Sequence, residues 1–270
     1  MKAIRVKKRL QEMLYPLASM LARVNPSPVF LYGNQKSGTS AICALLAKAT
    51  DCSMTLDMVR AIPKGDKLVL SLQAGSYQIE RFVQDYKLEF SKELIKEPTL
   101  TLFYPKIKEY FPNSRSVYIS RNPVQNIRSI LNIYNLSGKD NSWKFKLNPP
   151  VNMSVSGRMI LDSDWLFDSP SSGIIESLAR RWNYCAEIYI NHTSDFILFR
   201  YEDFKMDKLN SIHSLAAELK LPIVADISGH LHKQYQPKGS SDMNVLQFFG
   251  EENYQLIMDV TKPYRTRLGY

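Results

Sequence analysis

Residues 30–41 read Phe-Leu-Tyr-Gly-Asn-Gln-Lys-Ser-Gly-Thr-Ser-Ala. The apolar run Pro28-Val29-Phe30-Leu31-Tyr32 ends in a loop with glycines at 33 and 38, and Ala41-Ile42-Cys43-Ala44-Leu45-Leu46-Ala47 then has helix-forming composition. Strand, short loop and helix N-terminus together make an anion cradle: the first N–H groups of a helix lack intrahelical partners, and the helix dipole adds partial positive charge there. The nucleoside-triphosphate loop has the form G-x-x-x-x-G-K-[ST], and Gly33 and Gly38 keep that glycine spacing. Thr39 stands where the lysine belongs, and Lys36 lies three residues earlier, inside the loop. The pattern is that of a phosphate loop rebuilt for a different donor.

Outward from this loop, strand-like and helix-like stretches alternate. The pattern predicts strands near Leu68–Leu72, Glu93–Lys96, Ser116–Ser120 and Phe196–Tyr201. Helices are expected near Tyr77–Tyr86, Leu102–Tyr110, Pro123–Asn135, Ile174–Ile190 and Leu209–Leu219, with a last one after Glu251. Asn122 is a candidate N-cap and Pro123 suits the first helical position. Alternation of this kind implies an α/β protein, three-layer α/β/α around a parallel sheet, with ligands at the carboxyl ends of the strands. Residues 137–172 are rich in Ser, Gly, Pro, Asn and Asp and lack clear periodicity, which suggests a lid or acceptor-binding insertion. A length of 270 residues is compatible with a single domain, 1–270.

Composition narrows the class. The chain is 44% hydrophobic and 23% charged, ordinary for a globular protein. Cys43, Cys52 and Cys185 are too few and too scattered for a disulfide framework or a metal site, which suits a reducing, cytoplasmic setting, and no metal is expected. The net charge of +9, from 35 basic and 26 acidic residues, favours an anionic partner. Basic residues are dispersed beyond the N-terminus and no nucleic-acid module is recognisable, so nucleic acid is not the expected partner. Within residues 1–25, Lys2, Arg5, Lys7, Lys8 and Arg9 precede a moderately apolar stretch interrupted by Pro16. This reads as a basic amphipathic helix packed on the domain, with peripheral attachment to an anionic membrane as the alternative.

A second constellation is Ser120-Arg121-Asn122-Pro123-Val124-Gln125-Asn126-Ile127-Arg128-Ser129. An arginine at a strand end and a serine two helical turns on can converge on one anion, the first with a planar fork of donors and the second with a hydroxyl. Two anion sites would then share one edge of the sheet.

With these residues in place, the chain resembles the sulfotransferases that use 3′-phosphoadenosine 5′-phosphosulfate (PAPS). Gln35-Lys36-Ser37-Gly38-Thr39-Ser40 is similar to that family's 5′-phosphosulfate loop. Arg121, Pro123 and Ser129 reproduce its 3′-phosphate spacing, and Arg200-Tyr201-Glu202-Asp203-Phe204 is similar to its late strand-end motif, preceded by a helix carrying Trp182. Pro237-Lys238-Gly239 resembles the lysine–glycine loop near the nucleotide. The resemblance implies a P-loop-like sulfotransferase fold and transfer of a sulfuryl group from PAPS to an acceptor hydroxyl, leaving the bisphosphate PAP. It places Lys36 at the bridging oxygen, and Gln35, Ser37, Gly38, Thr39 and Ser40 around the 5′-phosphate. Arg121, Ser129, Lys238 and Gly239 would lie at the 3′-phosphate and Tyr201 near the adenine. A 3′-phosphate carries roughly −1.5 to −2 charges near neutral pH, which suits several cations.

The acceptor hydroxyl needs a proton acceptor. Family members carry a histidine or glutamate after a strand-end lysine, and Leu94-Ile95-Lys96-Glu97-Pro98 occupies that place without histidine. The candidate base is therefore Glu97, assisted by Lys96. Trp143, Phe145, Trp165 and Phe167, with Lys144 and Lys146, suit stacking on sugars and equally suit a lid packed on the core. The Trp182 helix resembles carbohydrate-type and bacterial family members, which implies a glycan, glycolipid or other small-molecule acceptor. A non-catalytic PAP- or glycan-binding protein of the same fold is the alternative. A P-loop kinase is disfavoured, because no lysine precedes Thr39 or Ser40.

Overall fold

The structure, a computed structural model, describes residues 14–58, 61, 65–150, 153–233 and 243–270. Its frame is a parallel five-stranded sheet of order β2-β3-β1-β4-β5, with β1 Val29–Tyr32, β2 Met54–Thr55, β3 Leu94–Lys96, β4 Arg115–Ser120 and β5 Phe196–Arg200. β1 lies in the middle, with Leu31 opposite Lys96 of β3 and Tyr32 opposite Tyr118 of β4.

All four β1 residues are buried, because successive side chains enter opposite layers. Val29 and Leu31 pack into a core with Ile42, Leu45, Ile212 and Leu215, whereas Phe30 and Tyr32 pack into a second core with Phe82, Phe90, Tyr104 and Phe111. The first core is closed by α2 (Thr39–Thr50) and α11 (Lys208–Glu218). The second is closed by α3 (Gly65–Gln73), α4 (Ile79–Asp85), α5 (Tyr104–Tyr110) and part of α9 (Ile174–Asn191). These are the expected three layers. A third cluster joins α6 (Pro123–Ile133), α9 and α12 (Val245–Arg265) beside the sheet.

Several elements differ from the sequence reading. Leu68–Leu72 lies in the helix α3, not a strand: Val69 and Leu72 are buried while Leu70 is 45% exposed, a helical rather than alternating pattern. The fifth strand is instead β2, whose two residues are too few to show a period. Tyr201 opens α10 (Tyr201–Met206) rather than ending β5. Residues 98–103 form a 3-10 turn ahead of α5, and α12 begins at Val245 behind an Asn244 cap, bending where Gly250 adopts a φ of 74°.

The segment 137–172 contains the short helices α7 (Lys144–Leu147) and α8 (Val155–Leu161). The five N-terminal basic residues lie outside the described residues. Residues 14–21 are helical (α1) and tied to the body by a hydrogen bond from the Tyr15 hydroxyl to Glu89, yet Leu14, Leu17, Met20 and Leu21 are exposed rather than packed. Among the described residues, no helix is long and apolar enough to cross a membrane.

Candidate functional site

The loop after β1 is shaped by three left-handed residues, with φ of 142° at Gly33, 67° at Lys36 and 92° at Gly38. Gly33 is clamped by Thr101, whose hydroxyl accepts from the Gly33 N–H at 2.9 Å and donates to its carbonyl at 3.2 Å. A non-glycine residue such as Lys36 is strained in this region, typically by about 1–3 kcal/mol. The strain turns the Lys36 carbonyl toward Arg121, whose guanidinium donates to it at 2.6 Å. α2 then starts at Thr39 with no side-chain cap at Gly38 and no acidic residue in its first turn. A helix end built this way suits an external anion.

Gly38 is held by two constraints at once. Its φ disfavours any side chain, and an added Cβ would come within 2.4 Å of the Tyr201 ring. Gly38→Ala is therefore expected to lower stability by roughly 1–3 kcal/mol and to displace Tyr201. Thermal unfolding with and without PAP checks this: the melting temperature and the PAP-induced shift should both fall.

Behind the loop lies a buried polar network invisible to motif reading. Asn126 accepts from the Asn34 amide at 3.0 Å and donates to the Gln35 carbonyl at 2.9 Å and the Ser37 hydroxyl at 3.1 Å. Arg181, 2% exposed, donates to the Gln35 side-chain oxygen at 2.9 Å, to Asn34 at 3.3 Å and to Ser163 at 3.1 Å. None of these partners is charged, and burial pushes the Arg181 guanidinium below its ordinary pKa. The signal that could have found it is periodicity: Arg181 falls between Leu178 and Cys185 on the buried face of α9, where a charge is out of place. Ser37 is turned inward, its hydroxyl toward Asn126 and its N–H donating to the Asn34 carbonyl at 3.2 Å, so it supports the loop. Gln35, Lys36, Gly38, Thr39 and Ser40 face a large cavity.

That cavity, of about 1060 Å³, gathers residues from the carboxyl ends of all five strands: Asp57 after β2, Glu97 after β3, Lys36 after β1, Arg121 after β4 and Tyr201 after β5. Arg121 stacks over the Tyr201 ring at 4.4 Å, and its carbonyl accepts from the Trp182 indole at 2.9 Å. Its Nε is buried with no hydrogen-bond partner among the described residues, and burial lowers its pKa. Ser129, on the exposed side of α6, lines the same cavity, as do Arg128 and Lys205, two cations that the motif reading passes over. The Lys36 ammonium is lowered to about 8, first by burial and then by the nearby charges of Arg121 and Lys96. Glu202 instead accepts the Asn122 backbone N–H at 2.9 Å. Lys238 and Gly239 lie outside the described residues, but Lys233 and Met243, on either side of that segment, line the cavity.

On the opposite side of Lys36, Glu97 is buried and caps the 3-10 turn. Its two oxygens accept from the backbone N–H of Thr99 at 3.0 Å and of Met58 at 3.2 Å. Lys96 is buried and paired with Asp57, Nζ to Oδ1 at 2.5 Å. Beyond these groups the wall is apolar, formed by Met58, Leu68, Leu72, Phe103, Met159 and Trp165. Of the aromatics singled out in 137–172, Trp165 reaches the cavity, whereas Trp143 packs under Lys146 at 3.9 Å and Phe167 under Arg180 at 4.2 Å. The Phe145 side chain lies outside the described residues.

No protein-family model and no curated protein matches this sequence. Solved structures do match in fold. A sulfotransferase domain from the curacin biosynthetic pathway is 15% identical, with 92% of this chain and 99% of that one covered and a TM-score of 0.50. Sulfotransferase STF9 from Mycobacterium avium is 11% identical, covering 96% of this chain and 82% of its own, at a TM-score of 0.52. Mouse sulfotransferase SULT7A1, solved in complex with PAP, is 14% identical over 92% of this chain and 88% of its own, at 0.50. The chain has the sulfotransferase fold.

Proposed function

We propose that this chain is a sulfotransferase that moves a sulfuryl group from PAPS to the hydroxyl of an apolar acceptor. The observation that carries the reading is the collection of cations at one end of the cavity, converging with the start of α2, whose cap position offers no side-chain acceptor. An orphaned buried Arg121 Nε and a lysine held near pH 8 fit a polyanion better than they fit water. PAP in complex with the mouse protein of the same fold supports the choice of nucleotide.

Residue roles follow the order of the strands. The α2 N-terminus with Gln35, Gly38, Thr39 and Ser40 would hold the 5′-phosphate. Arg121 and Ser129 would hold the 3′-phosphate, with Arg128, Lys205 and Lys238–Gly239 adding positive potential, and the Tyr201 ring would flank the adenine. PAPS supplies a sulfuryl group already activated on a phosphate. The protein's work is to position it and to meet the charge left on the phosphate oxygen, which is the task assigned to Lys36. Lys36 stands between the cationic half of the cavity, after β4 and β5, and the apolar half, after β2 and β3. In-line displacement across Lys36 would send the sulfuryl group from one half to the other. The apolar wall favours a hydrophobic alcohol or phenol over the glycan that the resemblance of the Trp182 helix implies.

The test is a PAP titration by thermal shift beside PAPS-dependent sulfation of 1-decanol, 2-naphthol, a sterol and methyl glucosides, read by mass spectrometry. A PAP-induced rise with transfer to the apolar alcohols is expected. A rise with no transfer would favour a PAP-binding module, and no rise would remove the nucleotide reading.

One pH dependence follows from Lys36. Anion binding selects its protonated form, whose population in the free protein falls as pH rises through about 8. PAP affinity should therefore fall about threefold between roughly pH 7 and pH 9, measured by calorimetry, and Lys36→Met, itself a loss of about fivefold, should flatten that fall.

A further inference from the structure

We propose that Asp57, held by Lys96, is the group that takes the proton from the acceptor hydroxyl; this rests on the sulfuryl-transfer reading above. Among the described residues, two carboxylates reach the acceptor half of the cavity, and the structure treats them differently. Glu97 has each oxygen committed to a backbone N–H, and it anchors the corner where the 3-10 turn leaves β3. Asp57 has one oxygen on Lys96 and, among the described residues, no hydrogen bond to the other. Its side chain is 40% exposed, so Oδ2 has access to the cavity and to water, whereas the Lys96 side chain is 3% exposed.

The arrangement is that of an oriented base: a reactive group open to substrate, fixed from behind by a third group that does not itself react. Lys96 is the positioning residue. It projects from the end of β3, beside β1, and so ties the carboxylate to the strand that delivers Lys36. The charges around Asp57 are Lys96 directly, Glu97 on the next strand end and Lys36 across the loop, all facing the same cavity.

The step balances without a further reagent. The acceptor oxygen forms a bond to sulfur as its proton passes to Asp57 Oδ2. The bond between sulfur and the bridging phosphate oxygen breaks, its electron pair stays on PAP, and Lys36 meets that charge. Asp57 then gives its proton to solvent across its exposed face.

The test uses the full chain with PAPS and two acceptors of different acidity. Asp57→Asn should lower kcat/KM about 100-fold for 1-decanol and about tenfold for 2-naphthol, whose own acidity substitutes for part of the base. PAP affinity should stay within threefold of wild type by calorimetry. In Asp57→Ala, added formate should restore 1-decanol turnover, a rescue that a purely structural carboxylate would not show. Lys96→Met should slow 1-decanol turnover more than 2-naphthol turnover, and Glu97→Gln should lower the melting temperature while slowing both acceptors equally. Equal losses for both acceptors in Asp57→Asn without formate rescue, or an acceptor-dependent loss in a folded Glu97→Gln, would overturn the assignment to Asp57 and leave the transferase reading standing. A wild-type chain that binds PAP but sulfates neither alcohol would overturn both.

Discussion

Lys36→Met is expected to slow sulfuryl transfer by about 10²–10³-fold, roughly 3–4 kcal/mol, the usual cost of deleting a donor aimed at charge that develops in a transition state. PAP binding should weaken far less, because the helix N-terminus and the cations after β4 and β5 stay in place. The separation of kcat from affinity is the informative outcome. A lysine that served only to hold the loop would lower both together, and its loss would loosen the Arg121 contact to the Lys36 carbonyl. That contact is to backbone, so methionine preserves it. The apo protein should not melt earlier, since burial already lowers the Lys36 pKa and methionine removes a cation that folding partly desolvates. Single-turnover transfer, PAP calorimetry and thermal unfolding of one variant separate the three effects. Unchanged turnover would remove Lys36 from the leaving oxygen.

The second large effect is expected at Arg121. Arg121→Met should weaken PAP about 100-fold, near 2.7 kcal/mol, in line with the loss of a charge-assisted contact to a phosphate. Adenosine 5′-phosphate, which lacks the 3′-phosphate, should lose no more than about threefold. The comparison separates a 3′-phosphate ligand from a residue that merely shapes the loop. Arg121 touches the Lys36 carbonyl and the Tyr201 ring, so a shaping role would weaken both nucleotides equally. Methionine retains contact with the Tyr201 ring, which limits the disturbance to charge and hydrogen bonding. Equal losses measured by calorimetry would move the 3′-phosphate away from Arg121.

Local chemistry makes parts of this protein legible in its residue order alone. The β1–loop–α2 unit is written in contiguous residues, and glycines at 33 and 38 are required by backbone angles that other residues rarely adopt. The helix start at Pro123 behind Asn122 is equally readable, and in the folded chain the Asn122 side chain accepts the Gln125 N–H at 3.3 Å. Leu68–Leu72 misleads because five apolar-rich residues fit a strand or a buried helix turn alike, and only their packing against α8 and into the core around Phe30 and Tyr32 decides. β2 escapes notice for the opposite reason, since two residues carry no period at all.

What the amino-acid sequence determined by itself was the local anion cradle, the displaced lysine within it and the parallel α/β order that brings strand ends to one edge. These depend on backbone geometry and on neighbours within a few residues. Tertiary structure decided the division of labour around that cradle. It turned Ser37 inward, placed Arg181 behind the loop with uncharged partners, bound Glu97 to two backbone donors and set Asp57 against Lys96. Each of those outcomes joins residues separated by up to 147 positions, or joins one residue to a partner whose own spacing carries no signal. The chemistry of a carboxylate depends on what already holds its oxygens, and that becomes definite only when the chain has folded.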